Sequence, residues 1–454
     1  MIGLFRLVLP ADVSRPLFLG DTMIRCMVAI VWVLQAAGVF AAEPAARPNV
    51  VLVLTDDLGY ADLGCFGSKT IRTPRIDRLA REGVRLTDSY AAACVCSPTR
   101  AALITGRYPQ KAGFDWVVRY TEKGRGLSTE HPSIARSVKA AGYATGLFGK
   151  WHLGYKTEFS PLAHGFEKFF GILAADADYY SHKDALGDPA LYEGDHLVDQ
   201  PGYLTDLITD RAIRFIKENQ TRPFFLEVAY NAPHWPFQRP DNPTDIRDKT
   251  NYGLENGTRA DYVAIVEKLD QCVGQILDKL DELKLAGNTL VIFTNDNGGE
   301  RLSENTPFFH GKYSLWEGGI RVPAIVRWPG KIKPGTFSSQ PNITMDWTAS
   351  IISAVGAKPQ AALDGIDLSP ILAEQKPVQE RTLFWRLPRP DAKFGQRAVR
   401  RGNWKYLYDR ECDFLFDLAN DPSERSNLAR SDPKRVAELK AALDEWEKTL
   451  PATK

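Results

Sequence analysis

Five short apolar runs, at residues 50–54, 144–148, 224–229, 290–294 and 324–326, are separated by long stretches with helical patterning. Their hydrophobicity is continuous, not alternating, so strands built from them need cover on both faces, as in a parallel sheet between helix layers. The intervening patterns agree. In residues 260–283, Val263, Ile265, Val266, Leu269, Val273, Ile276, Leu277 and Leu280 recur at three-to-four spacing, which predicts an amphipathic helix. The fold class expected is α/β. Polar residues follow each of the first four runs: Asp56-Asp57, then Gly149-Lys150-Trp151-His152, then Asn231-Ala232-Pro233-His234, then Asn295-Asp296-Asn297-Gly298. Ligands of open α/β sheets bind beyond the carboxyl ends of strands, so these groups are expected to share one site.

The texture changes near residue 356. Short strand-like runs at 382–385, 404–408 and 414–417 precede a helical pattern at 433–450, which predicts a small antiparallel sheet with a terminal helix. The division expected is a leader at 1–42, a catalytic part at 43–355 and a small α+β part at 356–454. The leader reading rests on Arg25, the apolar run 27–42 and the small-residue end at Val39-Phe40-Ala41, the pattern of a secretory signal peptide. Residues 1–22 lack that shape, making Met23 a candidate initiator. Export to the periplasm or medium is the expectation, without stable membrane insertion after cleavage. Lys and Arg (57) nearly balance Asp and Glu (56), so no basic footprint for nucleic acid is expected. Without the leader five cysteines remain, Cys65, Cys94, Cys96, Cys272 and Cys412, so at least one is unpaired.

Asp56, Asp57, Asp296 and Asn297 offer only oxygen donors, the hard set suited to calcium or magnesium; the alternative is helix caps and turns. Residues 96–107 read as a turn entering a short helix, with Pro98 early and Gly106 near its end. Cys96 then lies at a helix N-terminus, where free N–H groups favour an anion, whether thiolate, alkoxide or bound oxyanion. The alternative is a buried or disulfide-bonded Cys94–Cys96 pair.

The stretch Cys96-x-Pro98-x-Arg100, continued by Thr105-Gly106-Arg107, resembles the signature of the type I sulfatases, in which this cysteine becomes Cα-formylglycine. The likeness extends through Pro48–Asp57, Gly149–Gly154, Ala232–His234, Asn295–Gly299 and Gly311–Pro323, and reaches Phe416-Asp417-Leu418 and Asn427-Leu428. It implies an alkaline phosphatase-like mixed, mostly parallel sheet and hydrolysis of sulfate monoesters. It also implies one calcium ion on Asp56, Asp57, Asp296 and Asn297, with modified Cys96 as a further ligand, and a formylglycine-generating maturase as partner. In the family mechanism the aldehyde hydrate attacks sulfur, the alcohol leaves, and the sulfated hydrate collapses. By position, Arg100 holds the nucleophile, Lys150, Lys312 and His234 clamp sulfate oxygens, His152 is the base for collapse, and His234 with Lys312 protonates the leaving group.

Asp176-Ala177-Asp178-Tyr179-Tyr180-Ser181-His182 resembles the corresponding segment of arylsulfatase B type enzymes, which act on 4-sulfated N-acetylgalactosamine. Asp178, Tyr180, His182 and Trp235, with Trp116, Arg119 and Arg239, are therefore candidates for a sulfated-saccharide subsite. His131, His164, His196 and His310 are read as surface or packing residues. The competing functions are a phosphomonoester or phosphonate hydrolase on the same fold, and a glycan-binding protein whose Cys96 stays a thiol.

Overall fold

The computed structural model describes residues 47–242, 257–388 and 395–451; the expected leader, with Met23 and Cys26, lies outside them. Arg47–Lys454 cluster as one compact unit. A ten-stranded sheet runs Thr336–Ser338, Val84–Leu86, Ala324–Arg327, Thr289–Asn295, Asn49–Thr55, Phe224–Ala229, Ala144–Lys150, Lys168–Ile172, Leu191–Glu193 and His196–Leu197. From Thr289–Asn295 to Lys168–Ile172 neighbours are parallel, whereas Ala324–Arg327 runs antiparallel to both its partners. Alternation along the central strand explains the two-sided cover. Val51 and Val53 face one cluster, which includes Ile265, Leu269, Val273 and Leu280 of the Arg259–Glu282 helix; Val50, Leu52 and Leu54 face the other.

Register brings the site residues to one rim. Leu54 pairs with both Thr294 and Ala229, and Gly149 pairs with Ala229, so Asp56, Asp296, Lys150 and Asn231 all emerge at the same level. Lys150 is the last residue of its strand, two beyond the apolar run. Gly149 makes this possible: it has φ 123°, and a Cβ there would lie 1.8 Å from the Ala229 carbonyl oxygen.

The C-terminal sheet is a four-stranded antiparallel meander, Thr382–Leu387, Gln396–Arg401, Trp404–Asp409 and Cys412–Asp417, covered by the Pro433–Lys448 helix through Leu439, Leu443 and Trp446. Buried charges tie it to the segment carrying Lys312. Lys405 bridges Glu317 at 2.9 Å and Glu424 at 2.8 Å, and Tyr90 donates to Glu317 at 2.6 Å. Burying such groups is tolerable only because each carboxylate has a cation or donor. No helix among the described residues is long and apolar enough to cross a membrane.

Candidate active site

Cys96 is the first residue of the Cys96–Thr105 helix, after Val95 in an extended conformation, and Gly106 ends the helix at φ 66°. The Cys96 thiol points at Asp56 Oδ1, 3.6 Å away. One turn later, on the same face, Arg100 donates through Nε and Nη2 to Asp296 Oδ2 at 3.0 and 2.8 Å, and through Nη1 to the Lys150 carbonyl at 2.7 Å. Lys150 Nζ is paired with Asp56 Oδ2. Asp57 collects the other side: Lys312 Nζ donates to its Oδ2 at 2.7 Å, Asn297 Nδ2 donates to Oδ1 at 2.6 Å, and His234 Nε2 lies 3.5 Å from Oδ2. Asp57 and His152 adopt left-handed backbone, φ 61° and 56°, a conformation that costs a non-glycine residue on the order of 1–3 kcal/mol.

The electrostatics separate the roles. Burial pushes the Asp57 carboxyl up, but the Lys312 and Lys150 ammonium groups outweigh it and hold it well below the usual carboxylate range. Asp296 goes the other way, to about 7, through burial and the neighbouring Asp56, against Arg100 and Lys150. Burial also pushes the Cys96 thiol well up; Lys150 and Lys312 oppose this and Asp56 and Asp296 reinforce it. The helix N-terminus therefore does not make Cys96 a thiolate. Of the anions that the helix start favours, the thiolate is set aside, because low dielectric and two carboxylates outweigh the N–H field for the thiol. No disulfide joins Cys94 and Cys96, and both are buried.

Both histidines are neutral. Burial lowers His152 well below its usual range, with Lys150 and Arg100 adding to it. Its Nε2 faces the Val118 carbonyl at 3.1 Å and must donate, so the proton-free nitrogen is Nδ1, which is buried without a partner. Burial lowers His234 likewise, helped by Lys150 and Lys312. Its Nδ1 donates to the Trp235 carbonyl at 2.6 Å, leaving Nε2 unprotonated beside Asp57, so that contact is not an ion pair. For Lys312, burial opposes charge, but the carboxylates of Asp57 and Glu300 raise it well above its usual range. Of the two residues expected to protonate the leaving group, Lys312 carries the proton.

One ligand atom from each of Asp56, Asp57, Cys96 and Asp296 lies within 4.8 Å of the others. Asp296 Oδ1 and Asn297 Oδ1 are buried and accept no hydrogen bond. Buried oxygens left unsatisfied are costly, and a hard cation satisfies them, so the donor set fits a calcium-type ion.

Two residues at the site escaped the sequence reading. Glu300 lies 3.5 Å from Lys312 with both carboxyl oxygens buried and without a hydrogen bond, and burial raises it to about 7, Lys312 opposing and Asp57 adding. Its only sequence signal is its place after the Gly298-Gly299 turn. Tyr179 donates to the His234 carbonyl at 2.9 Å. Of the expected saccharide residues, Trp235 packs beside His234, ring centroids 4.9 Å apart. Asp178, Tyr180 and His182 have internal partners: Asp178 Oδ1 accepts the Tyr180 and Ser181 N–H groups, the Tyr180 hydroxyl reaches the Pro240 carbonyl, and His182 Nε2 reaches the Gly202 carbonyl. Asp178 Oδ2 is buried with no partner. Arg239 pairs with Asp241, and Trp116 lies 6.2 Å from the Tyr313 ring.

Residues 48–357 match the sulfatase family profile. The chain belongs to the sulfatase family. Residues 306–449 also match the C-terminal profile of N-sulphoglucosamine sulphohydrolase. The chain is 35% identical over 386 residues to N-acetylgalactosamine-6-sulfatase of Sus scrofa, covering 78% of this chain and 71% of that one. It is 33% identical over 477 residues to human arylsulfatase A, covering 90% of each. The crystal structure of Ps i-CgsB in complex with k-i-k-neocarrahexaose superposes with TM-score 0.82 at 30% identity, covering 90% of this chain and 94% of that one. The phosphonate monoester hydrolase of Agrobacterium radiobacter shares the fold, with TM-score 0.66 at 21% identity, covering 88% and 95%. This sulfatase is a sulfuric ester hydrolase on an alkaline phosphatase-like fold.

Proposed function

We propose that this sulfatase is an exported enzyme that hydrolyses a sulfate monoester on a carbohydrate, using formylglycine made from Cys96 and one calcium ion. The observation that carries the reading is the charge balance. Four carboxylates, Asp56, Asp57, Asp296 and Glu300, stand against three cations, Arg100, Lys150 and Lys312, with neutral histidines. When all are ionised, one divalent ion and one monoanionic sulfate ester bring the buried cluster to neutrality. A dianionic phosphate monoester leaves an uncompensated negative charge, which a water-poor site penalises.

Asp56, Asp57, Asp296 and Asn297, with the side chain at position 96, would hold the ion, whose chemistry is to polarise sulfate oxygen. The hydrated aldehyde at position 96 would supply two geminal hydroxyls, one as nucleophile toward sulfur and one as the acidic group for sulfate release. The remaining work belongs to the chain's own groups. Arg100 locks Asp296 to the Lys150 backbone and so fixes the floor on which residue 96 stands. Lys150 and Lys312 supply positive charge to sulfate oxygens as charge shifts in the transition state. His152, with Nδ1 free and Nε2 committed to Val118, is the base that takes the second hydroxyl's proton. Lys312 brings a proton to the departing alcohol, with Asp57 and Glu300 as the groups that orient its ammonium and His234 Nε2 beside Asp57. Trp235 offers an aromatic face beside His234 for the sugar.

Initial rates on matched nitrophenyl sulfate and nitrophenyl phosphate test the ester class, and release of sulfate from chondroitin sulfate and carrageenan oligosaccharides tests the carbohydrate. Faster turnover of the sulfate and of at least one saccharide is expected. Preference for the phosphate would transfer the site to phosphomonoester chemistry.

A further inference from the structure

A cavity of about 290 Å³ opens beside the segment that carries Lys312, against the turn joining Trp404–Asp409 to Cys412–Asp417. That is near the lower end of the ~300–1,000 Å³ range of ligand pockets, and it suits one ring-sized unit. Its wall is aromatic: the Trp316 ring lies 5.0 Å from Phe309 and 5.2 Å from Phe414. Among the described residues seven large hydrophobic side chains are exposed, and two of them, Phe309 (41%) and Tyr313 (39%), lie on this one segment.

Polar groups are set into that wall. Trp316 Nε1 donates to Asp409 Oδ2 at 3.0 Å, which fixes the carboxylate and leaves Oδ1 available to a hydroxyl donor. Arg410 and His310 line the cavity, are exposed, and make no ion pair or side-chain hydrogen bond among the described residues. The backbone holds them at a cost. Asp409 pairs with Cys412, so Arg410 and Glu411 form a two-residue hairpin turn in which both have positive φ, 49° and 61°. Asn-Gly or Gly-Gly is the ordinary choice for such a turn. His310 (φ 68°) and Tyr313 (φ 67°), on the opposing segment, are left-handed as well.

We propose that this cavity is a second saccharide subsite, which binds a sugar unit neighbouring the one that carries the scissile sulfate. Phe309, backed by the buried Trp316, takes the face of the ring, Asp409 takes its hydroxyls, and Arg410 takes a sulfate or carboxylate substituent. The connection to the reaction site is the segment itself: Lys312 reaches inward to Asp57, while Phe309, His310 and Trp316 on either side of it line the cavity. The half-exposed Tyr313 ring lies 5.1 Å from Lys312 Nζ on the same segment. An anionic oligosaccharide laid along this strip occupies both sites at once. The inference rests on the carbohydrate reading above and adds that the preferred substrate is an oligomer, with binding energy drawn from the C-terminal hairpin.

The test compares the fully matured wild-type enzyme with Phe309→Ala and Arg410→Ala on three kinds of substrate: nitrophenyl sulfate, sulfated monosaccharides, and tetrasaccharides of chondroitin sulfate and carrageenan. Wild type should turn over a tetrasaccharide with higher kcat/KM than the matching monosaccharide. Each variant should lose about tenfold or more in kcat/KM on the tetrasaccharide through KM, as truncating an aromatic or arginine anchor does. Arg410→Lys should recover part of the loss. Rates on nitrophenyl sulfate and the monosaccharide should stay within about twofold, since neither substrate reaches the second site. Equal losses on all three substrates, or no loss on the tetrasaccharide, would overturn the subsite while leaving the carbohydrate reading intact. Wild-type turnover of nitrophenyl sulfate with none of any saccharide would overturn the carbohydrate reading, and the subsite with it.

Discussion

Replacing Glu227 by glutamine should make the fold more resistant to alkaline pH. Glu227 lies in the middle of the Phe224–Ala229 strand, paired between Leu52 and Leu147, with 3% of its surface exposed and Oε2 without a partner. Burial pushes its carboxyl from 4.5 up to about 7, only partly offset by Arg100. A group raised in the folded state binds its proton more tightly there than in the unfolded chain. The stability it contributes is therefore fully present below the unfolded value and is lost as pH rises through the folded one. The difference between about 7 and 4.5 corresponds to about 3 kcal/mol, most of it lost between pH 5 and 8. Glutamine keeps the volume and does not ionise, and any fixed cost of the amide is the same at every pH. Urea unfolding of both proteins at pH 5, 6, 7 and 8 should show the variant gaining on the wild type by about 2–3 kcal/mol across the series. Parallel stability curves would refute the reasoning, because they would mean that Glu227 is equally ionised in both states.

Asp296→Ala should abolish sulfatase activity and calcium binding by calorimetry, because it removes both a proposed ligand and the anchor of Arg100; full activity after exhaustive chelation would contradict the metal set. Lys312→Ala should lose about 10²–10⁴-fold more on a sugar sulfate than on nitrophenyl sulfate, since only the poor leaving group needs the proton. Equal loss would make Lys312 a sulfate clamp and nothing more. Glu300→Gln removes one negative charge from the balanced cluster, so inhibition by inorganic phosphate should tighten by about tenfold or more. Unchanged phosphate inhibition would remove Glu300 from the charge balance.

The centre of the fold was legible because four strands are mostly apolar, with Glu227 the one charged residue inside them, and stop at polar residues. Asp56, Lys150, His234 and Asp296 each follow such a run, and the register brings them to one rim. The sheet edges were not legible. Lys168–Ile172, Leu191–Glu193 and His196–Leu197 carry charged or exposed residues, and Gln396–Arg401 hides its pattern because the buried Arg400 is paired with Asp88. Cys96 could be set at a helix start from Pro98 and Gly106, yet its protonation depends on Asp56 and Asp296, which no local pattern relates to it. Glu300 was invisible for the same reason, since its meaning comes from Lys312 and Asp57. The 176–182 segment shows the converse. Its polar side chains suggested a ligand, and most of their hydrogen bonds hold the loop that positions Tyr179 against His234.

The chemistry proposed here turns on the side chain at position 96. Mass spectrometry of the tryptic peptide 86–100, from protein co-expressed with a formylglycine-generating maturase, reads it directly beside the unmodified Cys94. The expected result is one aldehyde at Cys96, an intact thiol at Cys94, and sulfatase activity that rises in proportion to the fraction converted. A fully active preparation with both thiols intact would contradict the account.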